Sequence, residues 1–121
     1  MKLSALPKTW LIDLDGTILA HNAHLSGTDR LLPGVRALWD QFAPEDQIIL
    51  MTARDPYYEQ ATRRFLDANG LRYDRLLFGL PVGERILIND RKPSGLATAI
   101  AVNLRRDEGP GRVDVIRDPA L

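Results

Sequence analysis

A chain of 121 residues, 45% apolar and 26% charged, has the size and composition of one soluble domain spanning residues 1–121. With 16 basic residues balancing 16 acidic ones, it gives no support for a broad electrostatic grip on nucleic acid or an anionic membrane. The lack of cysteine removes disulfides, thiolate metal sites and cysteine nucleophiles together, and it fits a reducing cytoplasm.

The first residues, Met1 to Pro7, carry one lysine and no long apolar core, so no signal peptide is expected. No apolar run approaches the ~20 residues of a membrane span. A cytoplasmic enzyme or binding domain with no membrane partner is expected. Thr9 to Leu14 is short, apolar and β-prone, and reads as a buried strand. Ile18 to Leu31 is irregular and reads as a loop or small hairpin. Pro33-Gly34 opens a helix to about Phe42, with Val35, Leu38, Trp39 and Phe42 on one face.

Gln47 to Met51 is the second buried strand. Asp55 reads as an N-cap with Pro56 at the first helical position, and the helix runs to about Asn69, stopped by Gly70. Its apolar stripe is Tyr58, Ala61, Phe65 and Leu66. Further strands are expected at Arg75–Phe78, Arg85–Asn89 and Ile100–Leu104, and an edge strand at Arg112–Ile116. Apolar strands alternating with helices predict an α/β fold: a three-layer, Rossmann-like arrangement around a parallel sheet of about five strands. Ligands bind such sheets beyond the carboxyl ends of the strands.

Three polar clusters fall at those ends: Asp13-Leu14-Asp15-Gly16-Thr17, Thr52-Ala53-Arg54 and Asn89-Asp90-Arg91-Lys92. Asp13 and Asp15 stand so close that they repel unless a cation or a shared proton compensates. Mg2+ takes oxygen ligands and tolerates few protein carboxylates, keeping waters and substrate phosphate oxygens. Asp90 adds a carboxylate from across the crevice. Gly16 allows a sharp turn and close approach of the backbone, and Thr17 supports that turn through its hydroxyl. Thr52, Ala53 and Arg54 sit at a strand–loop–helix junction suited to a phosphate oxygen.

The first cluster, behind Trp10-Leu11-Ile12, resembles the first motif of the haloacid dehalogenase superfamily. Thr52 after Ile48-Ile49-Leu50-Met51 resembles its second motif, and Asn89-Asp90 after Ile86-Leu87-Ile88 its acidic fourth. The likeness spans roughly residues 9–104 and is greatest to small capless phosphatases, such as the phosphatase domains of polynucleotide kinase-phosphatases and the capsule- or sugar-phosphate phosphatases. It implies a Mg2+-dependent phosphomonoester hydrolase acting on a sugar phosphate, a nucleotide or a polynucleotide end. By it, Asp13 is the nucleophile that becomes an aspartyl phosphate, and Asp15 is the general acid and then base. Thr52 binds phosphoryl oxygens, with Gly16, Thr17, Ala53 and Arg54 around the substrate. Mg2+ is held by Asp13, Asp90 and the Asp15 carbonyl, with Asn89 as a further oxygen donor.

Two positions depart from the pattern. Leu80 stands where related sequences often carry the third-motif lysine, so Lys92, or else Arg85 or Arg54, has to supply that charge. Asn89 stands where a second acid is usual. The insert from Thr17 to Pro33 is too short for a cap domain and allows only a small flap, with His21, Asn22 or His24 presented by it. An open site of this kind points to oligomerisation or to a large substrate. Two other classes remain in view: a catalytically impaired binding domain of the same fold, and a receiver-type phosphoacceptor. The receiver order is a poor match, because the third expected strand ends at Phe78-Gly79 with no aspartate. The plainer readings are that His21 and His24 are solvated flap residues and that Arg63-Arg64 and Arg105-Arg106 are solvated faces.

Overall fold

In the computed structural model, which describes Met1–Leu121, the two apolar runs pair side by side. They are β2 (Thr9–Asp13) and β3 (Gln47–Met51), parallel, with Asp13 opposite Met51. β4 (Arg75–Leu77) adds to the other edge of β3, giving a three-stranded sheet in the order β2-β3-β4. One face of these strands is buried: Ile12, Ile48, Leu50 and Leu76 belong to one core cluster with Leu14, Ile18, Leu38 and Leu66, whereas Leu11 and Leu77 are exposed. A second, two-stranded parallel sheet joins β1 (Lys2–Ser4) to β5 (Ile116–Asp118).

The connections follow local chemistry. After β2, the flap contains a short 3-10 turn at Ala23–Ser26 and a bridge between Leu19 and Leu31. α1 is the single stretch Val35–Trp39, entered at Gly34 with φ 83°. A side chain on Gly34 would place its Cβ 2.6 Å from the Gly111 backbone, so only glycine allows the tail to cross there. Asp55 caps as expected: its carboxylate accepts the Tyr57 N–H at 2.8 Å, and Pro56–Tyr58 winds into α2 (Glu59–Ala68). Thr62 and Leu66 are the buried residues of α2. No helix is long and apolar enough to cross a membrane.

The structure corrects three expectations. The principal sheet has three strands rather than five. Neither Arg85–Asn89 nor Ile100–Leu104 forms a strand, and Ile86 and Ile88 are 83% and 91% exposed. Arg85 accounts for the first: its guanidinium donates to the carbonyls of Pro81 (3.1 Å) and Gly83 (2.9 Å), winding the entry to this segment around itself instead of extending it. The outer edge of β2 is left unpaired in consequence. The tail strand begins at Ile116 rather than Arg112, where it finds β1 as partner.

Asp46 ties the two sheets together. Its side chain is fully buried and accepts from Lys8 N (2.9 Å), Ala43 N (3.0 Å), Trp10 Nε1 (3.0 Å) and Arg117 Nη2 of β5 (2.8 Å). Burial works against its charge, but these donors outweigh it and hold the carboxyl down at about 2. A folded value below the unfolded one contributes stability above the ordinary carboxylate range, and that stability is lost as pH falls toward 2. At 1.36 kcal/mol for each pH unit of displacement, the contribution is about 2 kcal/mol. Urea unfolding at pH 5 and at pH 2.5 should therefore show the parent losing about 2 kcal/mol more than Asp46→Asn. Equal losses in the two proteins would remove Asp46 as the acid-sensitive tie.

Candidate active site

Asp13 ends β2, and the chain then turns tightly around one carbonyl. The amides of Thr17, Ile18 and Leu19 all point at Leu14 O, at 3.2, 3.0 and 3.0 Å. Gly16 makes this possible with φ 83°, and its amide donates to Leu19 O at 2.7 Å. Thr17 Oγ1 donates to Asp13 Oδ2 at 3.1 Å, so its hydroxyl holds the Asp13 carboxylate. Asp13 is half-buried; desolvation pushes its carboxyl upward, with nearby Asp15 adding to the rise and Thr17 opposing it. Arg85 Nη2 stands 3.8 Å from Asp13 Oδ1. The cation beside Asp13 is therefore Arg85, the second choice of the sequence reading.

Asp15 is gripped from three sides. Thr52 Oγ1, at the end of β3, donates to Asp15 Oδ2 at 2.7 Å, and Arg54 Nε donates to Oδ1 at 2.9 Å. His24 Nδ1 lies 3.9 Å from the same Oδ1. Thr52 is wholly buried and also accepts the Arg54 amide at 3.0 Å, so its hydroxyl serves Asp15 rather than an open phosphate cradle. Ala53 is exposed beside it.

Arg54 is the centre of this arrangement. Its Nη1 donates to Asp29 Oδ2 (2.9 Å) and Thr62 Oγ1 (2.9 Å), and its Nη2 to Asp29 Oδ1 (2.7 Å). Its side chain is 1% exposed and that of Asp29 7%. Burial opposes the guanidinium charge, but Asp29 and Asp15 more than offset it, and Arg54 is held firmly protonated. His24 responds the other way: burial, then Arg54, push its imidazole below the ordinary histidine range. Its side chain is 10% exposed, so it is not the solvated flap residue the sequence suggested.

The tail closes over the first loop. Asp107, at φ 64°, donates its amide to Gly16 O at 2.9 Å and accepts the His21 N–H on Oδ1 at 2.8 Å. Aspartate tolerates this left-handed conformation better than most residues. Arg106 lies against Gly16, with Cγ 3.0 Å from where a Cβ would stand.

The third cluster stays apart. Asn89, Asp90 and Lys92 lie on the exposed segment after Arg85; Asn89 Nδ2 donates to Thr98 Oγ1 at 2.7 Å, and Lys92 N to Leu96 O at 3.1 Å. No group of three His, Cys, Asp or Glu side chains comes together to hold a metal. The expected meeting of Asp13, Thr52 and Asp90 does not form: Asp15, Thr52 and Arg54 meet instead, while Asp13 is bound by Thr17 and stands beside Arg85. The sequence reading missed Asp29, Asp107 and Thr62. Asp29 follows Gly27-Thr28 in a turn-like stretch, and nothing in its spacing marks a partner in Arg54. Comparison with protein-family models, with curated proteins and with solved structures gives no match for this chain.

Proposed function

We propose that the chain is a Mg2+-dependent phosphomonoester hydrolase with Asp13 as nucleophile. The observation that carries this reading is the pair Asp13 and Asp15 at the carboxyl end of β2, with Asp15 oriented by Thr52 from the neighbouring strand. An Asp13 oxygen attacks phosphorus, and the bond from phosphorus to the ester oxygen breaks. Asp15 gives its proton to the departing alkoxide. Asp15 then takes a proton from water, whose oxygen attacks phosphorus, and the phosphorus–Asp13 bond breaks to release phosphate. Thr52 and Arg54 keep Asp15 aimed through both transfers, and Arg85 faces the charge that collects on Asp13 and the phosphoryl group.

The donors near Asp13 suit Mg2+, which needs only one or two carboxylates. The Asp15 carbonyl accepts no hydrogen bond within the chain and adds a second oxygen. The ion supplies charge compensation on the transferring phosphoryl group when bound. Asp90, the further ligand that the resemblance implies, lies outside this set, on the exposed segment after Arg85. The exposed position of Asp90 favours a second reading, a binding domain of this fold without turnover.

Phosphate release from 4-nitrophenyl phosphate separates the two. Release is expected with Mg2+, to be abolished by EDTA and restored by added Mg2+. No release at any Mg2+ concentration, or release indifferent to EDTA, would end the hydrolase reading.

A further inference from the structure

Between the flap and α2 lies a cleft of about 200 Å³. His24, Thr28 and Asp29 line it from the flap; Tyr58, Ala61 and Phe65 face them, and Arg54 and Thr62 complete the wall. The cleft adjoins Asp15, because Arg54 and His24 belong to both: they lie 2.9 and 3.9 Å from Asp15 Oδ1. A general acid has to face the oxygen it protonates. In the mechanism above, the leaving group therefore departs on the Asp15 side, next to this cleft.

The lining also sets a charge rule. Arg54 is its only permanent cation. Four of the about five N–H groups of that guanidinium are engaged: Nε on Asp15, Nη1 on Asp29 and Thr62, Nη2 on Asp29. Asp29 alone balances that charge while Asp15 carries its proton as general acid, so no net positive charge is left for an incoming anion. What the cleft does offer is neutral. Thr28 and Tyr58 bring hydroxyls, and Ala61, Phe65 and the Tyr58 ring bring apolar surface. His24 packs edge-on to Tyr58, with ring centroids 4.7 Å apart, and its buried Nδ1 has no hydrogen-bond partner.

We propose that this cleft holds the leaving group of the phosphomonoester and restricts it to a neutral or cationic alcohol of about one ring. The proposal rests on the hydrolase reading. It selects within that reading against polynucleotide ends, bisphosphates and carboxylated sugars, whose second anion would meet Asp29 with no free cation.

The test compares 4-carbamoylphenyl phosphate with 4-carboxyphenyl phosphate, which match in shape and differ by one charge. At pH 7.5 kcat/KM should be higher for the amide by about tenfold, and Thr28→Lys, which adds a cation to an exposed part of the lining, should narrow or invert that ratio. Equal kcat/KM for the two esters, or preference for the carboxylate, overturns the proposal and leaves the hydrolase standing. A second measurement needs no turnover: amide NMR titration with 4-hydroxybenzamide and with 4-hydroxybenzoate. Shifts at His24, Thr28, Tyr58 and Phe65 with the amide alone support the cleft and its charge rule. If they occur without turnover of any ester, the hydrolase reading fails and the leaving-group assignment with it, while the neutral-ligand site stands. Shifts of equal size with both phenols, or with neither, overturn the cleft as a selective site.

Discussion

Asp13→Asn should lower kcat for 4-nitrophenyl phosphate by at least about a thousandfold while leaving the protein folded. The amide keeps the shape of the carboxylate and can still accept from Thr17. It cannot form a carboxyl–phosphate bond, so the two-step route is closed. Folding should not suffer. Burial raises the Asp13 carboxyl above its unfolded value, so this acid opposes folding once pH exceeds the ordinary carboxylate range and the folded state has to hold it ionised. A neutral amide lifts that opposition, and the urea midpoint at pH 7 should be unchanged or higher. Two measurements on one preparation, phosphate release and urea unfolding, check both halves. Activity within tenfold of the parent would mean that Asp13 is not the nucleophile.

Arg54→Ala should have the largest effect on stability. It leaves Asp15 and Asp29 buried with no counter-charge and deprives Thr62 of its donor. Breaking one side of a buried ion pair costs about 3–5 kcal/mol, far more than removing an exposed pair. Domains of this size have about 5–15 kcal/mol in all, so the variant should unfold at low urea. Replacing Arg54 together with Asp29, as in Arg54→Met with Asp29→Leu, should recover part of the loss, because only Asp15 is then left without its counter-charge. Urea midpoints of the parent, the single variant and the double variant check this. An Arg54→Ala protein as stable as the parent would show that the three-carboxylate-oxygen grip does not hold the flap to α2.

The parts of the fold that were legible are those in which a local rule decides. Gln47–Met51 is an apolar run with no competing period, and it is β3 residue for residue. Asp55-Pro56 combines a side-chain acceptor with a preset φ, and the helix begins there. The first-motif loop was legible because Asp-x-Asp-Gly-Thr prescribes its own turn. Arg85–Asn89 was misread for a definite reason: apolar β-prone residues say what gains from burial, not whether a sheet edge receives them. Thr52 was assigned to phosphate from its strand–loop–helix junction and from the second-motif resemblance, whereas its hydroxyl donates to Asp15. Asp29 and Asp107 reach their partners only through tertiary contact, Asp29 with Arg54 and Asp107 with His21 and Gly16. No sequence period records such pairings. Choosing Arg85 over Lys92 likewise needed the winding of Pro81 and Gly83 around a guanidinium.

The pairing of β1 with β5 has a consequence for synthesis. Lys2 meets Ile116, so β1 waits unpaired until β5 has been made. Closing a loop of that length costs roughly 4 kcal/mol of chain entropy, and the ribbon repays it with only a few ladder bonds and the Arg117 grip on Asp46. The nascent chain can assemble β2, β3, α2 and β4 early, whereas β1 can pair only once β5 has been made.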